Sequence, residues 1–303
     1  EKYMNELITD VKSLELETLK NLKNSKSHNT LRAYQADFKD FSAFCAKNGL
    51  NSLPSEPKII AIYLTHLSSF SKYSTLKRRL ASINVIHKLK GHYIDIKHPI
   101  ITENLMGIKR KMGVKQTAKK PLLINDLKSI IRVIDEVKNI SKRLQNKALL
   151  LIGFSGGFRR SELVSIEYDD LDFVTEGVKI IVRRSKTDQT GLGMTKAIPY
   201  FDNKDYCPVT SLKNWINFSK INNGKIFDIS DKTVALTIKK YALLAGLDHN
   251  RYAGHSLRSG FATSTAETGA DERSIMAMTG HKTTQMVRRY IREANLFKNN
   301  ALN

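Results

Sequence analysis

Between residues 29 and 118 apolar side chains recur at steps of three and four. Leu31, Tyr34, Phe38, Phe41 and Cys45 predict one helix, with Gly49 as its stop. Ile59, Ile60, Tyr63, Leu64 and Leu67 predict a second, behind Pro57. Leu76, Leu80 and Ile83 predict a third, beginning at Ser74 or Thr75 and ending at Gly91, and a short fourth runs from about Thr102 to Ile108. Upstream, Tyr3, Leu7, Val11 and Leu14 predict an amphipathic helix within residues 3–20. The pattern changes after Leu122. Asn125 is placed to cap a helix reaching about Val137, and another spans Ser141 to Phe154. Val178–Arg184 and the stretch from Ala197 to Tyr200 alternate as strands around a turn at Ser185–Gly193, which predicts a β-hairpin. Helical spacing returns at 209–221, 231–245, 257–268, 272–279 and 283–293.

The expected fold is therefore mainly α with a small β-sheet or hairpin, and 303 residues suit two domains better than one. The boundaries expected are an N-terminal extension at 1–24, a helical domain at 25–110, a linker at 111–121, a larger domain at 122–293 and a tail at 294–303. Residues 109–121 are polar and basic without apolar periodicity, which makes a linker of this stretch.

Charge narrows the partner. The chain carries 50 Lys+Arg against 29 Asp+Glu, a formal net charge of +21. Residues 1–118 hold 20 basic and 10 acidic side chains and residues 119–303 hold 30 and 19, so both halves favour a polyanion. Nucleic acid fits best, although a basic coat protein would share this balance. Cys45 and Cys207 stand far apart, which signals neither a zinc site nor a disulfide framework. No run of about 18 apolar residues predicts a membrane span, and no signal peptide is visible. A cytoplasmic location, associated with the nucleoid, is the expectation.

Several residues could carry chemistry. Arg159 lies in Gly156-Gly157-Phe158-Arg159-Arg160-Ser161-Glu162-Leu163, where a cation precedes a helix start and suits an anion. His255 and Arg258 are three apart and share a helix face, with Ser256 between them as a candidate cap. Gly280 reads as a helix C-cap that holds His281 on a tight turn. Tyr290 follows among Val287, Arg288, Arg289 and Ile291, and Lys186 sits in the hairpin turn. Each has an ordinary reading as well: a solvated arginine or lysine, a buried histidine, a core tyrosine. On the third helix Lys77, Arg78 and Arg79 fan around the axis, and with Lys109, Arg110 and Lys111 they are candidate phosphate contacts or simply solvated cations.

Order and spacing together are more specific than any single residue. An arginine in a Gly-x-Arg-x-Ser-Glu context, a hairpin lysine, His-x-x-Arg, Gly-His and a tyrosine nine residues on make the region from Arg159 to Tyr290 resemble the tyrosine recombinase (phage integrase) family. The resemblance extends over about residues 25–293. It implies a C-shaped clamp of an N-terminal core-binding domain and a C-terminal catalytic domain. Two departures stand out: Thr279 precedes Gly280-His281 where many members have leucine, read here as a packing detail, and Gly156-Gly157 replaces the commoner Thr-Gly.

The resemblance implies site-specific cutting and rejoining of double-stranded DNA through a 3′-phosphotyrosyl bond at Tyr290, without ATP, metal or other cofactor. Arg159 and Arg258 would hold the phosphate oxygens, and His255 would be general base or phosphate ligand. Lys186 would be the general acid, His281 would hydrogen-bond the phosphate, and Glu162 would orient its neighbours. A homotetramer on two DNA sites follows, with the tail at 294–303 exchanged between subunits; mobile-element integration is among the roles open to such an enzyme. Two other readings are a type IB topoisomerase-like relaxing enzyme and a non-catalytic sequence-specific DNA-binding protein.

Overall fold

The computed structural model describes residues 28–113, 119–183, 193–281 and 283–294, together with 14, 17 and 21. The expected helix at 3–20, the linker residues 114–118, Lys186 and the tail from 295 lie outside the described residues, apart from positions 14 and 17. The chain divides into two compact units, Glu1–Gln116 and Thr117–Asn303. Among the described residues no helix is long and apolar enough to cross a membrane.

The first unit holds α1 (His28–Lys47), α2 (Pro57–Ser68), α3 (Tyr73–Leu89) and α4 (Pro99–Met112). The apolar stripes meet in one core, where Phe41, Cys45, Ile60, Leu64, Leu76, Ile83 and Ile101 are fully buried. The fourth helix is longer than its apolar spacing suggested, because Pro99 starts it and Lys109, Arg110 and Lys111 extend it as an exposed last turn. Polar groups also tie this unit together. The buried Asp37 accepts hydrogen bonds from Arg78 Nη1 at 2.5 Å and Ser82 Oγ at 2.7 Å, and Arg79 Nε lies 3.2 Å from its other oxygen. Arg79 Nη1 also reaches Asp40, 2.8 Å away, to which Tyr63 donates at 2.6 Å. Of the three adjacent cations on α3, only Lys77 is an exposed side chain outside this network; Arg78 and Arg79 are engaged with Asp37.

The second unit begins with α5 (Ile124–Asp135) and α6 (Ile140–Ser155), followed by a four-residue helix α7 (Arg160–Leu163). A three-stranded antiparallel sheet follows: β1 (Leu171–Val174), β2 (Gly177–Val182) and β3 (Met194–Pro199), in that order. The register pairs Leu171 with Ile180, and Gly177 with Pro199 through Val182 with Met194. Strand β1 went unforeseen because four residues show too little alternation to read. The helices α8 (Pro208–Ser219), α9 (Asp231–Leu244), α10 (Ser256–Glu267), α11 (Glu272–Thr279) and α12 (Thr284–Ala294) complete the unit. Helix α6 is its centre, buried from Ala148 through Phe154. Both cysteines are buried free thiols, one in each core.

Two expected caps are corrected. Leu123, not Asn125, is the N-cap of α5, and it caps with no side-chain hydrogen bond. A tertiary contact sets that start: Leu122 is fully buried and its N–H bonds the carbonyl of Ser256 at 2.9 Å. Ser256 is not a cap either. Its hydroxyl donates to the Lys120 carbonyl at 2.8 Å and accepts from Ala253 N–H at 2.9 Å, and His255 takes the N-cap position of α10. The approach is so close that a Cβ on Gly260 would lie 2.0 Å from the Leu122 carbonyl oxygen.

Candidate active site

Four backbone features bring the chemistry of the second unit together. Arg159 is the N-cap of α7, Arg258 lies in the first turn of α10, His281 follows the end of α11, and Tyr290 stands on α12. The Arg159 corner is locked by Glu162, whose carboxylate is buried. One oxygen accepts from the Arg159 backbone N–H at 2.9 Å, and the other pairs with the guanidinium at 2.5 Å. The carboxylate thereby holds the guanidinium in one position and matches its charge. Gly157 turns the chain into this corner at φ +55, and a Cβ at Gly156 would lie 2.1 Å from the Phe158 ring. Phe158 folded back over Gly156 leaves no room there for the commoner threonine.

Arg258 is 4% exposed. Its Nη1 donates to the Gly157 carbonyl at 2.9 Å, while Nη2 is buried and has no hydrogen-bond partner among the described residues. Burial, with Arg159 alongside, pulls this guanidinium down to about 10, and Glu162 and Tyr290 oppose the fall. An arginine held so carries a strong electrostatic demand for an anion.

The Gly280 C-cap, at φ +65, delivers His281 into the same place. His281 is buried, and burial followed by repulsion from Arg258, Arg159 and Lys196 holds its imidazole down at about 4. It is therefore neutral near pH 7. Its ring lies 5.9 Å from that of Tyr290, centroid to centroid. Tyr290 is half-buried at the margin of a small cluster of Ala262, Ala266, Ile275 and Val287. Its ring is thus packed on one side, and the residue keeps access to solvent. Arg288 and Arg289 beside it are exposed, and Arg288 bonds Glu272 at 2.9 Å. His255 is exposed at the N-cap of α10, one turn before Arg258. Lys186 lies outside the described residues.

Two contributors were missed from the sequence. Lys196 lies on β3 and is fully buried. Its ammonium bonds the Gly156 carbonyl at 2.6 Å, also bonds the Met278 carbonyl, and sits 4.7 Å over the Phe158 ring. It thereby joins the segment before Arg159 to the end of α11. Burial, with Arg258 and Arg159 close by and Glu162 opposing, depresses it to about 7. The available signal was alternation: Lys196 and Ile198 share the inward face of the strand. The second is Thr279, read as packing, whose hydroxyl in fact lies 2.7 Å from His281 Nδ1.

Among the described residues there is no group of three His, Cys, Asp or Glu that could hold a metal ion. Two guanidiniums and an ammonium meet one carboxylate, with a phenol and an imidazole at the same place. Such a set can hold an oxyanion and present an oxygen nucleophile to it.

Comparison with known proteins defines the class further. Residues 122–296 match the phage integrase family, and residues 16–90 match the phage integrase N-terminal SAM-like domain. The chain is 42% identical over 247 residues to an integrase/recombinase XerD homolog of Selenomonas ruminantium, covering 77% of this chain and 72% of that protein. It is 27% identical over 188 residues to tyrosine recombinase XerA of Pyrococcus horikoshii, covering 60% and 62%. In fold it is similar to the XerH site-specific recombinase in a post-cleavage complex with a palindromic difH substrate, with TM-score 0.66, 17% identity, and 88% of this chain and 80% of that one covered. It is also similar to a lambda integrase dimer bound to a COC′ core site, with TM-score 0.57, 20% identity, and 88% and 89% covered. The chain belongs to the phage integrase family of tyrosine recombinases.

Proposed function

We propose that this protein cuts and rejoins double-stranded DNA at a defined site, with Tyr290 as nucleophile and Arg159 and Arg258 as the grip on the scissile phosphate. The observation that carries the reading is the buried Arg258 Nη2, which makes no hydrogen bond among the described residues although its partner atom Nη1 does. A non-bridging phosphate oxygen supplies both the missing acceptor and the missing negative charge.

In the reaction the Tyr290 oxygen bonds to phosphorus and the bond to the 5′ oxygen breaks, leaving a 3′-phosphotyrosyl link. The phosphoester energy is kept, so rejoining is the same reaction reversed and ATP is not needed. The two guanidiniums offset the charge that develops on the phosphate oxygens. Glu162 holds Arg159 in place, and His255 stands at the mouth of the site as a phosphate ligand or proton acceptor. Lys186 protonates the leaving oxygen, and His281, once protonated, hydrogen-bonds the phosphate.

Residues 25–110 act as the core-binding domain, with Lys77, Lys109, Arg110 and Lys111 as exposed cations for the backbone. Arg78 and Arg79 contribute mainly through their hold on Asp37. The linker at 111–121 follows the duplex. Exchange of strands between two duplexes calls for four copies, with the tail at 294–303 passed between them, working in the cytoplasm on the nucleoid.

A nicked suicide duplex carrying the natural site tests this. The expected result is a covalent protein–DNA adduct that is abolished in Tyr290→Phe while binding is retained. An adduct of equal yield in Tyr290→Phe would refute the assignment. Relaxation of plasmids lacking any such site would point to a topoisomerase instead.

A further inference from the structure

The hydroxyl of Thr279 fixes which nitrogen of His281 carries hydrogen. Thr279 is fully buried. Its Oγ1 lies 2.6 Å from the carbonyl oxygen of Ile275 and 2.7 Å from His281 Nδ1. Two oxygens that close repel unless a hydrogen lies between them. A carbonyl has none to give, so the hydroxyl hydrogen points at Ile275. Oγ1 then has no hydrogen left for the imidazole and can only accept. The hydrogen in the second contact therefore comes from Nδ1.

A neutral imidazole with hydrogen on Nδ1 carries its lone pair on Nε2. Burial first, and then Arg258 on α10, Arg159 at the start of α7 and Lys196 on β3, keep this ring neutral in the absence of DNA. Glu162 matches part of that charge through Arg159. From α12 the neighbour is Tyr290, whose phenol has a proton to lose on attack.

Resting on the cleavage reading above, we propose that Thr279 is a positioning residue: its hydroxyl holds His281 as the Nδ1–H tautomer, so that Nε2 receives the proton of Tyr290 as its oxygen attacks phosphorus. The phenol O–H bond breaks and the proton passes to Nε2. The oxygen–phosphorus bond forms as the bond to the 5′ oxygen breaks, and that oxygen takes its proton from Lys186. The approaching phosphate offsets the cations that disfavour the imidazolium. Once formed, the imidazolium donates to a phosphate oxygen, and rejoining returns the proton.

The full chain labelled with nitrogen-15 supports a direct test. Long-range proton–nitrogen correlation spectra read the tautomer of His281, identified by its loss in His281→Gln. The wild type and Thr279→Ser should show the Nδ1–H pattern. Thr279→Val, of nearly the same shape, should shift the population toward Nε2–H. Adduct formation on the suicide duplex should then fall by about 10- to 100-fold in Thr279→Val at unchanged DNA affinity, with the acidic limb of its pH profile displaced and serine restoring both. An Nε2–H pattern in the wild type overturns the proposal, whether or not any variant folds. So does a Thr279→Val protein with wild-type tautomer and pH profile. Absence of any adduct in the wild type would instead strike the cleavage reading, which the tautomer measurement does not depend on.

Discussion

Arginine does opposite work in the two units. In the first, Arg79 is enclosed by Asp37, Asp40 and Tyr63, so its charge is matched from within the fold. Its Nε makes no aligned hydrogen bond but still faces Asp37 at 3.2 Å. In the second, Arg258 is more deeply buried, has a single carbonyl partner among the described residues and stands near Arg159 and Lys196. The first arrangement holds three helices together. The second is a cost to folding that Glu162 offsets only in part and an incoming anion offsets further. Burial of an arginine therefore says little by itself; what distinguishes structure from function is whether the fold supplies the counter-charge.

The comparison breaks most visibly at Arg258. Arg258→Met should lower adduct formation by about 1,000-fold, the scale of losing one positioned donor to a developing oxyanion. The urea midpoint of the second unit should be no lower than in the wild type, because an unmatched buried charge is removed. A large fall in stability would show that Arg258 serves the fold as Arg79 does.

The converse change is Asp37→Ala, which removes the buried carboxylate that Arg78, Arg79 and Ser82 share. It should destabilise the first unit by about 3 kcal/mol, read by denaturant unfolding. A short nicked substrate at saturating concentration should still give wild-type adduct yield per folded molecule. If yield fell without loss of folded protein, the Asp37 network would be acting on DNA rather than on packing.

Lys196 gives the most directional effect. Its folded-state value is about 7 against 10.5 for a free lysine, so between those values the unfolded chain binds more protons. Stability must then rise with pH across that window, and the penalty for burying the charge is fully present only below about pH 7. Lys196→Met should lack this rise relative to the wild type, measured as unfolding free energy at pH 7 and pH 9.5. Parallel curves for the two proteins would mean that the ammonium is not depressed by burial.

How much was legible in advance depended on range. The helix stripes of the first unit could be read because each lies within one segment, and Phe41, Ile60, Leu64, Leu76 and Ile83 all reached the core. Arg159, Arg258, His281 and Tyr290 could be read as a set because their spacing is itself a pattern. The caps at Asn125 and Ser256 could not, since both ends are set by contact between residues 120–122 and 256. Strand β1 could not, because it is too short to show alternation.

The sequence by itself determined the helical character, the basic balance, the order of the chemical groups and, through that order, the family. Those properties are local or additive along the chain. Only the tertiary structure decided which cations were spent on the fold, that the Lys196 ammonium joins the Gly156 and Met278 carbonyls, and that Thr279 bonds His281. Each of these depends on distances between segments far apart in the chain or on the direction of a hydrogen at a turn, and neither has a signature in residue spacing.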